Sequence, residues 1–225
     1  MKKIILISLL MFLSLSLLTA NAVALFTASK GKVELRRSAK NVKFKTGDML
    51  NNNDEIRTGT ESFAAYKFID ATSTIKIFSN SFVKISATKS GDDLNKKTQV
   101  NSGSVYARVT SNKGSMIVQT PTTVASVKGT GFMTKFTQDG ETYYIVTHGI
   151  VDVKVLETGE NQSIDAGYTA YIDKDSNMIV RESTEEDLTE LERAEIESAQ
   201  NTEPRKMIIP VADEQGRIKL IEITY

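Results

Sequence analysis

A few residues in this chain have types that could do chemistry. His148 is the only histidine and there is no cysteine, so a nucleophilic triad would need His148 as its base. It lies in Thr147-His148-Gly149, a turn signal between two apolar runs, which is typical of an exposed turn residue. A single histidine without cysteine is also poor material for a zinc site. We therefore predict no catalytic residue, no metal site and no cofactor.

The segment Asp173-Lys174-Asp175-Ser176-Asn177 has the residue types of the first five positions of a calcium loop. Met178 stands where that loop needs glycine, and Thr184 where it needs its bidentate glutamate. Aspartate, serine and asparagine also form turns through their own side chains. We predict a hairpin turn here.

The stretch Thr120–Phe132 reads T-P-T-T-V-A-S-V-K-G-T-G-F. Two glycines flank Thr130, so the backbone N–H groups could form an anion nest with Lys128 beside it. The other interpretation is a strand that bends between two apolar anchors, Val127 and Phe132. No helical pattern follows, which excludes a P-loop. We favour the bend and keep the nest as the alternative.

These residues must be positioned by strands. Between residues 29 and 181 the chain alternates apolar and polar residues over many short runs, separated by Gly-, Asn- and Asp-rich turn clusters such as Ser102-Gly103 and Asp139-Gly140. More than a dozen strands without a helix among them predict an all-β fold: a multi-stranded sandwich or roll, or a short β-solenoid.

The ends of the chain differ from this body. Lys2 and Lys3, an apolar run to Leu18, and the small-x-small motif Ala20-Asn21-Ala22 indicate a signal peptide over residues 1–24, with Ala22-Val23-Ala24 as a second cleavage motif. The apolar run is shorter than the roughly 20 residues of a spanning helix. We expect export to the periplasm or the extracellular space, with no membrane span after cleavage.

The charge divides the chain near residue 182. From Val23 to Arg181 there are 21 lysines and arginines against 16 acids, and from Glu182 to Tyr225 there are 5 against 12. A basic excess this dilute argues against nucleic acid as a partner. We predict an all-β domain over residues 25–181, an acidic amphipathic helix over 182–203 that begins at the capping box Ser183-Thr184-Glu185-Glu186, and a β-hairpin over 204–225.

Three segments in fixed order carry a family resemblance. They are Asp54-Glu55-Ile56-Arg57-Thr58-Gly59, the Thr120–Phe132 stretch, and Val146-Thr147-His148-Gly149-Ile150-Val151-Asp152-Val153. Together they resemble the FecR domain, an extracytoplasmic all-β module, over about residues 30 to 172. The positions that match the family signature, which we interpret as structural, are Gly47, Asp48, Thr58, Gly59, Pro121, Val127, Lys128, Gly129, Thr130, Phe132, Gly149 and Gly167.

The chain departs from the family pattern at two positions. Ala71 replaces the usual glycine, so we expect its turn to avoid positive φ or to lengthen. Lys128 replaces the usual arginine, which removes a planar fork. Transmembrane FecR regulators also carry a cytoplasmic sigma-factor-binding region before a membrane helix. We expect none here, and sigma-factor control is not carried over.

The resemblance implies a non-enzymatic envelope protein whose β domain is a binding or signalling scaffold. Its partner would be an envelope protein or a cell-wall glycan, recognised by edge-strand pairing or by surface contact. Two alternatives stay open. One is an enzyme acting on envelope polymers, which needs a polar cleft with perturbed acids. The other is a self-associating structural element, since the sequence allows homo-oligomers.

Overall fold

The computed structural model describes residues 22–110, 114–199, 206–212 and 218–224. Most of the predicted signal peptide lies outside these residues. The body contains seventeen strands: β1 Ala22–Lys30, β2 Val33–Arg37, β3 Lys40–Val42, β4 Met49–Asn51, β5 Glu55–Thr58, β6 Phe63–Phe68, β7 Ser73–Ile77, β8 Phe82–Ser90, β9 Asp93–Val109, β10 Met116–Gln119, β11 Thr123–Val127, β12 Gly131–Phe136, β13 Thr142–His148, β14 Ile150–Val155, β15 Asn161–Asp165, β16 Tyr168–Ile172 and β17 Met178–Glu182. The helix α1 (Glu185–Ala199) and the hairpin β18 (Lys206–Ala212) with β19 (Ile218–Thr224) follow.

The body has two layers. Sheet A has the strand order β4-β1-β6-β7-β9-β12-β13-β16-β17. Sheet B has the order β3-β2-β5-β8-β9-β10-β11-β14-β15. The strand β9 belongs to both sheets, which makes all seventeen strands one continuous hydrogen-bonded system. The predicted all-β class is confirmed.

The strand β9 changes sheets at Gly103. Residues up to Ser102 pair with β8, whereas residues from Gly103 onward pair with β12. Gly103 has a φ of 80°, and a Cβ there would lie 2.3 Å from the Ser81 Oγ. The predicted turn at Ser102-Gly103 is therefore wrong. Glycine serves there as a bend inside one strand, because the chain passes too close to Ser81 for a side chain.

The same strand pairings occur twice along the chain. In the first half β5 pairs with β8, β6 with β7, and β7 and β8 with β9. In the second half β11 pairs with β14, β12 with β13, β13 with β16, and β14 with β15. The pair β15 and β16 therefore occupies the place of the single strand β9. The turn at Gly167 separates the two.

The core lies between the sheets. Inward-facing apolar side chains alternate along each strand, and Phe26, Tyr66, Ile85, Phe132 and Tyr144 are among its fully buried members. Two hydrogen bonds cross the core from a tyrosine in sheet A to a threonine in sheet B. They join Tyr66 Oη to Thr98 Oγ1 and Tyr144 Oη to Thr123 Oγ1, each at 2.7 Å.

The helix α1 packs on the outer face of sheet A. Leu191 belongs to a second apolar cluster there, with Phe63, Met133 and Ile145 among its members. Lys135 forms an ion pair with Glu190 at 2.8 Å. Among the described helices there is none long and apolar enough to span a membrane.

The helix begins one residue later than the predicted capping box. Thr184 is the N-cap, because its N–H donates to the Asp187 carboxylate at 2.8 Å and its Oγ1 accepts from the Asp187 N–H at 3.3 Å. Ser183 instead bonds Thr169 through its hydroxyl at 2.9 Å. Arg181 forms an ion pair with the Asp187 carboxylate. Asp187 therefore takes the place in the cap that the predicted capping box gave to Glu186.

The expectation that Ala71 avoids positive φ is wrong. Its φ is 59°, in the turn between β6 and β7. The Ala71 N–H donates to the Phe68 carbonyl at 2.9 Å, and Asp70 accepts the Thr72 N–H at 3.1 Å. These bonds hold the turn in a left-handed conformation that costs a non-glycine residue about 1–2 kcal/mol.

Ala71→Gly should therefore raise the free energy of unfolding by about 0.5–1 kcal/mol, because relief of strain exceeds the added entropy of the unfolded chain. Ala166→Gly is the matched control: Ala166 is exposed in a turn and is not among the positive-φ residues, so this change should destabilise slightly. Urea denaturation of both variants checks this. A less stable Ala71→Gly protein would contradict the strain argument.

Candidate binding surfaces

The signature positions lie at turns that tie the strands together. Thr58 is buried at the end of β5, where its hydroxyl donates to the Phe78 carbonyl and accepts from the Ser81 N–H. The Gly59 N–H donates to the Lys32 carbonyl at 2.9 Å, and the Gly47 N–H to the Phe26 carbonyl at 2.8 Å. Gly167 has a φ of 89° and accepts the Ser183 N–H. These contacts fit structural roles.

Four further signature residues lie in turns or in the core. Asp48 accepts the Lys45 N–H through its carboxylate at 2.9 Å. Pro121 is exposed at the bend between β10 and β11. Val127 and Phe132 are both buried in the core between the sheets.

Residues 128–130 carry the chain from sheet B to sheet A. Gly129 has a φ of 67°, and the Thr130 carbonyl accepts the Val109 N–H at 2.8 Å. Gly149, with a φ of 74°, lies against this turn, and a Cβ on it would come within 2.6 Å of the Gly129 carbonyl oxygen. The two turns therefore pack together where side chains would not fit. Lys128 is exposed beside them.

A groove opens beside this turn on the outer face of sheet A. It has a volume of about 410 Å³, and we call it the glycine-turn groove. It is lined by Tyr106, Arg108, Val109, Thr110, Gly129, Thr130, Gly131 and His148. Gly131 keeps it open, because a Cβ there would lie 2.6 Å from the Tyr106 Oη.

The lining of the groove is cationic or neutral. No carboxylate is among its residues, and Lys128 is not one of them. Arg108 is exposed, and within the described part of the chain it has no ion pair. The Thr130 Oγ1 is buried and has no hydrogen-bond partner among the described residues. The groove thus presents the Arg108 guanidinium without a carboxylate to neutralise it.

His148 lies in this groove without the surroundings of a catalytic base. An orienting acid and a nucleophile would have to reach it, but no acid lines the groove. Three other grooves lie on or beside sheet B, and each is lined by at most one carboxylate, Glu34 or Glu55. None of these four grooves brings together the two acids that hydrolysis of a glycan requires.

The calcium-like segment forms the turn between β16 and β17. The Asp173 carboxylate accepts the N–H groups of Asp175 and Asn177 at 2.9 and 2.8 Å. Hydrogen bonds from Asn177 hold the pKa of Asp173 below its ordinary value. Over the described residues no group of three or more metal-ligating side chains occurs.

The second candidate surface is the free edge of sheet B, formed by β15. Four of its five residues are exposed, and only Ile164 is buried. The Val155 N–H donates to the Glu160 carbonyl at 2.9 Å, so Glu160 and every second residue after it face β14. The backbone groups of Asn161, Ser163 and Asp165 therefore point outward, and β15 has no second neighbour among the described strands.

Sequence reasoning singled out the glycine turn and His148, but it missed Tyr106 and Arg108 of the groove and the whole of β15. The strand β9 was recognised by its buried residues Val105, Ala107 and Val109. Tyr106 and Arg108 lie between them and face outward. Only the coincidence of an arginine with the glycine turn could have pointed to the groove, and that requires the sheet order. The edge strand β15 has one apolar residue, so it gives no alternation to detect.

The comparisons agree with this fold. Residues 54–152 match the family model described as FecR protein, in agreement with the resemblance seen in the sequence. Two crystal structures of candidate anti-sigma factors from Parabacteroides distasonis each superpose with a TM-score of 0.52. The first is 15% identical, and the match covers 60% of this chain and only 62% of the anti-sigma factor chain. The second is 13% identical, and the match covers 76% of this chain and 84% of the other. A search of curated protein sequences returns no match.

Proposed function

We propose that this is an exported, non-enzymatic binding protein of the cell envelope, in the periplasm or outside the cell, with a regulatory role. Its FecR domain would recruit a partner protein by adding a strand of that partner to β15. The observation that supports this is the free edge of β15. A partner strand would gain main-chain hydrogen bonds at Asn161, Ser163 and Asp165.

The edge β15 is less protected than the other three edges of the sheets. The strands β3 and β4 have three residues each, and β3 carries Lys40. The strand β17 leads directly into α1 and is tied to it by the ion pair of Arg181 with Asp187. Natural proteins block edges with lysine, proline, bulges or short strands. The strand β15 has none of these over its five residues.

The repeated topology supports a parallel orientation for the partner strand. The strand β15 occupies the place that residues 93–102 of β9 hold in the first half, because each pairs antiparallel with the preceding strand. The free side of that part of β9 is filled by β10, which adds in parallel with Met116 opposite Lys96. A parallel strand on β15 would therefore repeat a pairing that the body already contains.

A proline at Ser163 should abolish partner binding without unfolding the body. The Ser163 N–H points outward, so a proline at this position removes a donor from the edge and breaks no hydrogen bond to β14. Ser163→Ala is the matched control, because both changes remove the 2.5 Å hydrogen bond to Asp152 but alanine keeps the N–H. We expect the mature protein and Ser163→Ala to retain the same envelope protein in a pull-down, and Ser163→Pro to lose it.

Two outcomes of this experiment would contradict the proposal. Equal capture by both variants would show that the edge is not the contact. Equal loss would assign binding to the Ser163 side chain. Photo-crosslinking from residue 161 identifies the neighbour, and a crosslink to a second copy would support self-association instead. The strands β18 and β19 pair only with each other among the described strands, which favours that second candidate.

The start of β1 distinguishes between the two candidate cleavage sites of the signal peptide. Ala22 opens the strand, and Ala24 and Phe26 are fully buried in the core. Cleavage after Ala22 keeps the buried residues Val23 and Ala24, whereas cleavage after Ala24 removes them. We expect secreted protein to begin at Val23, as intact mass spectrometry would show. A mature N-terminus at Leu25, or an uncleaved chain, would contradict this.

A further inference from the structure

The two halves of the body treat one position differently. In the first half Ser62 and Ser79 close the base of the β6–β7 hairpin: the Ser62 N–H donates to the Ser79 Oγ, which donates back to the Ser62 carbonyl, each at 3.1 Å. In the second half the paired residues at the base of β12 and β13 are Gly131 and His148. In the second half the Thr147 hydroxyl makes the corresponding bond to the Gly131 carbonyl at 2.9 Å, but Gly131 has no side chain, so the surface beside it is left as a groove.

The residues that lead into β6 and β12 also differ in their hydrogen bonds. In the first half the Ser62 hydroxyl accepts the Lys32 N–H at 2.9 Å and donates to the Thr60 carbonyl at 2.9 Å. In the second half the buried Thr130 hydroxyl has no partner among the described residues. Thr130 alternates with the buried residues Phe132 and Thr134, so its hydroxyl faces the core, and the Thr134 hydroxyl is unpaired there as well. What this end of β12 offers a ligand is therefore the glycine backbone and the side chains of Arg108 and His148.

Charge and shape define the ligand. Arg108 has a planar fork of N–H groups and no carboxylate neighbour in the groove, and His148 can add a second donor. The side of the groove formed by Gly129 and Gly131 has no side chains, which lets a ligand reach the backbone. Oxyanions are what arginine forks and glycine turns bind.

We propose that the glycine-turn groove binds an oxyanion group, a carboxylate or a phosphate, carried by a ligand about the size of one sugar. Arg108 holds the group, His148 and the backbone of the glycine turn complete its hydrogen bonds, and the Tyr106 ring borders the ligand. Lys128 takes no part, because it does not line the groove. The site is separate from the β15 edge and does not depend on partner binding there.

Titration of the mature protein with four small probes tests this, read by amide NMR. Acetate, inorganic phosphate and glucuronate should produce saturable shifts at Gly129, Thr130 and Gly131, and neutral glucose should not. The relative affinities of acetate and phosphate then identify the group. Absence of saturable shifts with all three anions, or equal shifts with glucose, overturns the proposal.

Two variants with the same change in charge make the test specific. Arg108→Gln should weaken binding by at least about tenfold, which corresponds to the loss of one charge-assisted hydrogen bond. Lys128→Gln, at an exposed residue beside the groove, should change it by less than about twofold because exposed charges are screened. Equal weakening in both variants overturns the proposal, as does unchanged binding in Arg108→Gln. Thermal melts confirm that both variants are folded.

Discussion

Asp70→Asn should lower the free energy of unfolding by about 3–5 kcal/mol, because it removes the carboxylate charge that pairs with a buried ammonium group. The Lys96 side chain is 1% exposed in the core, and its Nζ donates to the Asp70 carboxylate at 2.6 Å. Asparagine keeps an oxygen for the Thr72 N–H, so the variant isolates the loss of charge. Urea denaturation gives the measurement.

Lys96→Met is the control for this prediction. Methionine has a similar length and needs no counter-charge, so the single change should cost less than Asp70→Asn, and the double variant should recover most of the loss. If the double variant is as unstable as Asp70→Asn, the cost lies in the turn and the ion pair is not its source.

The same pair makes stability depend on acid. Desolvation raises the pKa of Asp70, but hydrogen bonds from Lys96 and Thr72 outweigh it and hold the pKa below its ordinary value. A lowered folded pKa gives stability that is present above the unfolded value, about 3.9, and is lost as the pH falls through the folded value. We expect Lys96→Met to lose less stability than the wild type below about pH 4.

Phe132→Ala should cost about 3–5 kcal/mol, the range for a large aromatic side chain removed from a closed core. Phe132 is fully buried between the sheets, and its ring centroid lies 6.4 Å from that of Tyr144. For a domain of this size the midpoint temperature should fall by on the order of 10 °C. Calorimetry of the mature protein measures it.

Phe82→Ala provides the matched control. The chemical change is the same, but Phe82 is only half buried on the outer face of sheet B, under the Arg57 guanidinium at 3.5 Å. We expect a loss of about 1 kcal/mol there, from the cation–π contact and partial burial. Similar losses at both positions would mean that the segment ending at Phe132 is not central to the core.

The all-β class was predictable because period-2 alternation is a direct consequence of strands that bury one face. Runs such as Val151, Val153 and Val155 therefore identify their strands. The length of β9 was not predictable in this way. Its first part holds Lys96 and Lys97, which look like a solvent-exposed stretch, whereas in the structure Lys96 faces the core and pairs with Asp70 across the two layers.

The details of turns were the other source of error. Ala71 keeps a positive φ because hydrogen bonds between Asp70 and Thr72 hold the turn. The sequence alone does not tell whether these bonds outweigh the cost of the strained backbone. The helix begins at Glu185, because Thr184 and Asp187 each accept the backbone N–H of the other and so cap it. Candidate binding surfaces were the least predictable, since Arg108, Gly131 and His148 meet only after three strands have found their order.

The strand β9 has a consequence for modularity. Tandem duplications are usually units that can be deleted, multiplied or expressed alone, because each repeat ends where the next begins. Here the first half ends inside a strand whose second part is a structural member of the next half. Neither half is a complete building block, because the two share β9, whereas at the far end the turn at Gly167 divides the corresponding strand into β15 and β16.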